Sequence, residues 1–315
     1  MPLPAATRDA LISLDVHFFE DEPLGRRVYW RVGGPADGFV LVRDLDALQQ
    51  VIRATRDTEC PSFLLGKGSN LLVSDAGIRG LVVSLGGALA EVRNLGGQPP
   101  RIQVGAGLAL TALLARARKE GWTGLECFAG IPGTVGAAVV MNAGSHLGET
   151  VEPLVDIDVV NPDGSLHTLP KADLQMSYRT AHLPPGAVIA RARFQTTGAD
   201  PVQSQASVRE FLLRRKATQP LNLPSCGSTF RNPPGDYAGR LIDAAGLKGF
   251  TIGGARVSER HANFIVNTGA ATAREIRRVI EHVQARVEAF SGVRLRREVH
   301  YAGDWTEWPA TTGSS

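Results

Sequence analysis

The chain has 315 residues, of which 43% are hydrophobic and 21% charged. That is the balance of an ordinary globular protein with room for two or three domains and a core that needs no covalent staples. A net charge of only +3 is too mild to argue for a nucleic-acid binder, in which a basic stripe is expected. The three cysteines, Cys60, Cys127 and Cys226, are an odd number without paired spacing, which argues against a disulfide framework and a zinc site and suits a reducing cytosol.

No run approaches the length of a membrane span, and the first residues lack the basic-then-apolar pattern of a signal peptide. A helix is expected over Thr7 to Leu14, then a turn at Arg31-Val32-Gly33-Gly34-Pro35 and a strand over Gly38 to Val42. Asp44 is placed to cap a helix over Leu45 to Arg56, whose Leu48, Val51 and Ile52 share one face. Strands are expected over Ser62 to Leu65, Leu81 to Leu85 and Arg101 to Val104, and a helix over Leu108 to Lys119 stopped by Gly121. Alternation over Val155 to Val160, Leu166 to Leu169 and Ala187 to Gln195 predicts three more strands, the first two joined by an Asn-Pro-Asp-Gly turn. Helices follow over Val208 to Lys216, Tyr237 to Ala245 and Ala273 to Phe290, then a last strand over Leu295 to Tyr301 and a polar tail.

Glycine makes up 35 residues, and the glycines cluster, which marks close approaches between backbone and a ligand. Gly66-Lys67-Gly68-Ser69-Asn70-Leu71 follows a strand and is either an anion-binding nest of backbone amides or a plain tight turn. It is not a P-loop, because its lysine precedes the second glycine. Val104-Gly105-Ala106-Gly107 departs from the dinucleotide-binding pattern, since Leu110 stands where a third small residue is needed. The densest run is Gly130-Ile131-Pro132-Gly133-Thr134-Val135-Gly136, followed by Asn142-Ala143-Gly144. It suits a pyrophosphate lying flat on backbone, or else a packed junction between two elements. Cys226-Gly227-Ser228-Thr229-Phe230-Arg231-Asn232-Pro233 offers a hydroxyl, Ser228, in a turn. Cys226 beside it has no base next to it in sequence, which favours a packing thiol over a nucleophile.

Taken in order, these runs resemble the UDP-N-acetylenolpyruvoylglucosamine reductase family, flavoenzymes of peptidoglycan synthesis. The likeness rests on R-V-G-G-P-A at Arg31, G-K-G-S-N-L-L-V at Gly66, A-G-I-P-G-T-V-G at Ala129 with M-N-A-G at Met141, and C-G-S-T-F-R-N-P at Cys226. A-G-R-L-I-D-A-A-G-L-K-G at Ala238, V-S-E-R-H-A-N-F-I-V-N at Val257 and R-E-V-H-Y-A-G at Arg297 complete it, over about Arg31 to Gly303. The wording around Tyr178-Arg179 is similar to the shorter, type II form. Ala137, Ala181 and the Ser145-His146-Leu147-Gly148 run depart from the usual family wording.

The resemblance implies an α+β protein. Its two-lobed FAD-binding region is of the vanillyl-alcohol-oxidase (PCMH) type and is followed by a C-terminal α+β substrate-binding domain. The lobes are expected at 1–80 and 81–200, the substrate domain at 201–305 and the tail at 306–315. It implies non-covalent FAD, NADPH as reductant, and UDP-N-acetylglucosamine enolpyruvate as substrate, in a cytoplasmic monomer without nucleic-acid partners. The family's catalytic residues fall on Arg179, Ser228 and Glu298. Cofactor contacts are implied for Gly66, Lys67, Gly68, Ser69, Asn70, Leu71, Gly130, Ile131, Gly133, Thr134, Gly136, Asn142 and Gly144. Substrate contacts are implied for Tyr178, Lys216, Asn232 and Arg240, while Arg256 and His261 face either ligand or solvent. Two rivals stay open at this point: an oxidase of the same fold with flavin tethered to His or Cys, and a non-catalytic nucleotide-sugar or flavin-binding protein.

Overall fold

The computed structural model describes residues 3–14 and 16–306, so the tail expected over 306–315 lies, apart from Thr306, outside the described residues. Helix α1 (Ala5–Ser13) and strands β1 (His17–Pro23) and β2 (Pro35–Val42) lead into helix α2 (Leu45–Asp57). Strands β3 (Ser62–Leu64), β4 (Leu71–Val73) and β5 (Ile78–Leu85) follow. Four of these strands make one sheet in the order β1-β2-β5-β3, with β5 parallel to both its neighbours. The Asp44 carboxylate accepts from the Ala47 N–H at 2.8 Å, so α2 begins where the sequence places its cap. Its Leu48, Val51 and Ile52 are buried, as their spacing requires. Strand β5 runs through residue 80, so the first sheet continues to Leu85 and the lobe boundary expected there falls inside a strand.

The second lobe contains β6 (Val92–Asn94), β7 (Arg101–Gly105), α3 (Leu110–Glu120) and the short α4 (Val135–Val140). After these come the small hairpin β8 (Gly144–Ser145) and β9 (Gly148–Glu149), then β10 (Leu154–Val160), β11 (Leu166–Pro170) and β12 (Val188–Gln195). Its sheet has the order β11-β10-β12-β7-β6 and is antiparallel throughout. Gly121 ends α3 at a φ of 69°, a left-handed cap that glycine takes without steric cost.

The C-terminal part comprises α5 (Pro201–Thr218), α6 (Ala238–Ala244), β13 (Thr251–Ile252), β14 (Ala255–Val257), β15 (Ile265–Asn267), α7 (Ala273–Ser291) and β16 (His300–Ala302). Thr272 and Glu275 form a reciprocal capping box at the start of α7, and Ile276, Val279, Ile280, Val283 and Val287 are its buried stripe. Two expectations change here. Helix α5 starts at Pro201, capped by Asp200, rather than near Val208. The last strand is confined to His300–Ala302, because residues 296–298 bond instead to the loop at 229–231.

Strand β16 pairs parallel with β4, which returns the end of the described chain to the first lobe. Trp30, Val32 and Leu72 of that lobe lie in one hydrophobic cluster with Cys226, Phe230 and the buried face of α7. The Trp30 indole donates to the Ile265 carbonyl at 2.8 Å, and the Asn267 amide donates to the Trp30 carbonyl at 2.9 Å. Emptying such a fully buried indole site costs about 3–5 kcal/mol. The C-terminal domain is thus welded to the first lobe, while the second lobe has a core of its own. Among the described residues no helix is long and apolar enough to cross a membrane.

Candidate active site

A cavity of about 1310 Å³ lies where the second lobe faces the welded pair. Its walls come from the first lobe (Lys67, Ser69, Asn70), the second (Ile131 to Thr134, Gly144, Arg179) and the C-terminal part (Arg215, Ser228, Asn232). Seven arginines and lysines and only two carboxylates, Glu149 and Glu298, are among the described lining residues. A surplus of that size suits a ligand carrying several negative charges.

The two glycine-rich loops meet in this cavity. The Ser69 hydroxyl donates to the Pro132 carbonyl, which holds one loop against the other. A Cβ on Gly66 would lie 2.8 Å from the Thr134 hydroxyl, and one on Gly68 would lie 2.8 Å from the Val28 Cα. Among the described residues, the backbone amides of Lys67, Gly68, Ser69, Gly133 and Thr134 donate to no protein acceptor. Amides left without a partner at the wall of a cationic cavity form a cradle for phosphate oxygens. The donor set therefore fits the pyrophosphate of a dinucleotide cofactor. Of the residues expected at this cofactor, Gly66, Lys67, Ser69, Asn70, Ile131, Gly133, Thr134 and Gly144 line the cavity. Gly68, Leu71, Gly130, Gly136 and Asn142 are not among the lining residues.

Arg179, Ser228 and Glu298 come from three distant parts of the chain and line the same cavity. The Arg179 Nε donates to Glu298 Oε1 at 2.9 Å, with the two side chains 19% and 14% exposed, and its other arm donates to the Gly144 carbonyl at 3.2 Å. Burial pushes the Glu298 carboxyl above its usual range, against the pull of Arg179 and, further off, Arg231. Ser228 is fixed through its successors. Thr229 N–H bonds the Asn263 carbonyl, and the Asn263 amide takes both backbone groups of Phe230 at 2.9 and 2.8 Å. The Glu298 N–H donates to the Thr229 carbonyl at 2.8 Å, so the serine run and the glutamate are set by one another. Asn70 completes the link by donating its amide to the Glu298 carbonyl at 3.0 Å.

Two families match the chain: an FAD binding domain over residues 36–170, and the C-terminal domain of UDP-N-acetylenolpyruvoylglucosamine reductase over 219–302. The chain is 44% identical to UDP-N-acetylenolpyruvoylglucosamine reductase 2 of Symbiobacterium thermophilum over 283 residues, covering 90% of this chain and 91% of that protein. It is 44% identical to the reductase of Anaeromyxobacter sp. strain K, covering 91% of this chain and 86% of the relative. The chain belongs to the UDP-N-acetylenolpyruvoylglucosamine reductase family. The crystal structure of the reductase from Thermus caldophilus superposes with a TM-score of 0.78 at 36% identity, over 91% of this chain and 98% of that one. The α+β class, with an FAD-binding region ahead of a reductase C-terminal domain, is as the sequence implied.

Within this reductase-family fold the expected substrate contacts divide. Tyr178 and Asn232 line the cavity; Asn232 also accepts from the Ala238 N–H at 3.1 Å, at the head of α6. Lys216 is exposed on α5 and Arg240 is exposed and paired with Asp236, both away from the lining. The reason on α5 is helical phase. Phe211, Arg214, Arg215 and Thr218 line the cavity at spacings of three and four, and Lys216 is off that stripe. Arg215 is the residue the sequence reading missed. It donates to the Gly130 carbonyl and to Gln219 Oε1, which ties α5 to the Gly130 loop. The Phe211-to-Thr218 stripe was the available signal.

His261 lines the cavity with its basicity lowered by burial and then by Lys248, whereas Arg256 is outside the lining. The Cys226 thiol is buried against the Gly68 and Leu71 carbonyls, and burial raises its pKa to about 12. A thiol so placed packs and does not attack.

Proposed function

We propose that this protein is an FAD-dependent reductase. It uses NADPH to reduce the enolpyruvyl group of UDP-N-acetylglucosamine enolpyruvate to the lactyl ether of UDP-N-acetylmuramate, a step of peptidoglycan synthesis. FAD, when bound, would supply the two-electron chemistry that links NADPH to the substrate. The unpartnered amides of the loops at Lys67 and Gly133 would hold its pyrophosphate. Arg215 supports this arrangement by bracing the Gly130 loop from α5.

Reduction places hydride on the terminal carbon of the enolpyruvyl double bond and a proton on the carbon beside the carboxylate. Between the two events, negative charge spreads from that carbon into the carboxylate. We assign Arg179 to the carboxylate, because a planar guanidinium meets two oxygens at once and is charged at every working pH. Ser228 gives its hydroxyl proton to the carbon. An unperturbed serine is a poor acid, so its alkoxide needs a proton source within reach. We assign that part to Glu298, which lines the same cavity, has its pKa raised by burial, and bonds through its backbone N–H to the carbonyl of the residue after Ser228. Tyr178 and Asn232 would contact the sugar nucleotide from the rim.

NADPH and the substrate are both large anions, and one cationic cavity serves them in turn, which gives ping-pong kinetics. We read the working form as a monomer, and three buried free thiols suit the cytoplasm. The observation that carries the proposal is the meeting of Arg179, Ser228 and Glu298 in the cavity that also holds the two cofactor loops. The test is an anaerobic absorbance experiment on the purified protein. The flavin band should bleach with NADPH and return when the enolpyruvyl substrate is added. A band that returns only with oxygen, or that bleaches with an alcohol or sugar, would overturn the assignment.

A further inference from the structure

Asn142 lies in the turn that ends α4 and is 1% exposed. Its φ of 38° is left-handed, a conformation asparagine tolerates better than most residues. Both N–H donors of its side chain are taken by protein groups. Nδ2 donates to Glu149 Oε2 at 2.8 Å and to the Ser177 carbonyl at 3.1 Å, and Oδ1 accepts from the Val151 N–H at 3.0 Å. Asn142 is not among the cavity's lining residues.

Ser177 opens the tight turn that carries Arg179. Ser177 and Thr180 exchange backbone hydrogen bonds of 2.9 and 3.0 Å, and Tyr178 and Arg179 are the corners between them. Arg179 takes a φ of 57°, which a long side chain holds only when its surroundings enforce it. Two fastenings reach this turn from the end of α4: Asn142 on the Ser177 carbonyl, and the Val140 carbonyl on the Ala181 N–H at 3.0 Å. The guanidinium of Arg179 bonds the Gly144 carbonyl, in the β8–β9 hairpin. Asn142 grips that hairpin too, through Glu149.

We propose that Asn142 is a positioning residue: by clasping the base of the 177–180 turn and the 144–149 hairpin with one amide, it aims Arg179 at the substrate carboxylate. This rests on the role given to Arg179 above. It assigns Asn142 to the reacting end of the substrate instead of to the cofactor expected from sequence.

The test uses Asn142→Gly in the holoenzyme, which keeps the backbone conformation and removes the amide. Asn142→Asp is the second variant; it keeps size and the Val151 acceptor, loses both donors, and stands in for the first where folding fails. Flavin content and the rate of flavin reduction by NADPH should stay near wild type. Reoxidation by the enolpyruvyl substrate should slow by about 10- to 100-fold, the scale of an ångström-sized misplacement of a catalytic group. In an Arg179→Lys background the same change should add less than about 2-fold, since two residues acting through one contact are not additive. Equal slowing of both half-reactions, or slowing that multiplies with that of Arg179→Lys, would overturn the proposal. Wild-type reoxidation in Arg179→Lys itself would overturn the parent assignment and this one with it, and so tells the two failures apart.

Discussion

Replacing Gly68 with alanine tests whether the cofactor loop depends on close backbone approach. Gly68 has a φ of 60°, and a Cβ there would stand 2.8 Å from the Val28 Cα and 3.0 Å from the Arg27 carbonyl oxygen. The left-handed conformation costs an alanine about 1–2 kcal/mol. Ordinary carbon contacts are about 3.5–4.0 Å, so the loop must also retreat by roughly 0.5–1 Å. If that combined cost falls on the ligand-bound geometry, FAD affinity drops by about 10- to 30-fold, at 1.4 kcal/mol per decade. Gly246 is the control: its φ is 70° with nothing within 4 Å, so Gly246→Ala pays the backbone cost without the clash. It should lose about 1 kcal/mol of stability with no change in FAD affinity. Titration of apoprotein with FAD, followed by flavin fluorescence, gives both dissociation constants. A Gly68→Ala constant within about 2-fold of wild type, or an equal change in Gly246→Ala, would refute the role of loop approach.

Arg179→Lys keeps the charge and loses the planar fork, so kcat should fall with kcat/KM; a change in KM alone would make Arg179 a binding clamp without a part in the transition state. The pH dependence of stability tests Glu298. Its carboxyl is raised by burial in the folded protein, so the folded state holds the proton more tightly than the unfolded one, and stability drains away as pH rises from the ordinary value of 4.5 through the folded pKa. The melting temperature of Glu298→Gln minus that of wild type should therefore climb with pH above that value; a flat or falling difference would show that burial is not setting this pKa.

Much of the fold was legible because its signals are local. The Asp44 cap of α2, the Gly121 stop of α3 and the 276–287 stripe of α7 stand where periodicity and capping rules put them. What escaped was set at long range. The parallel pairing of Leu71–Val73 with His300–Ala302 joins segments from opposite ends of the sequence, and neither alternates clearly. The first half of α5, Pro201 to Ser207, is polar and without period, and only the Asp200–Pro201 pair marks its start. The strand expected over Leu295 to Tyr301 is shortened because residues 296–298 are taken up in pinning the serine loop. In the site, Arg179, Ser228 and Glu298 gathered in one cavity with Tyr178, Asn232 and part of the two glycine-rich loops. Lys216 and Arg240 did not, because motif matching ignores helical phase in the one case and a local carboxylate, Asp236, in the other. The clasp of Asn142 on the Arg179 turn joins residues whose relation only the folded chain reveals.

The central claim, that one hydroxyl delivers the proton, is tested most directly by Ser228→Ala in anaerobic stopped flow. Flavin reduction by NADPH should proceed at close to the wild-type rate, while reoxidation by the enolpyruvyl substrate slows by about 10⁴-fold. Reoxidation at the wild-type rate, or equal slowing of both half-reactions, would contradict it.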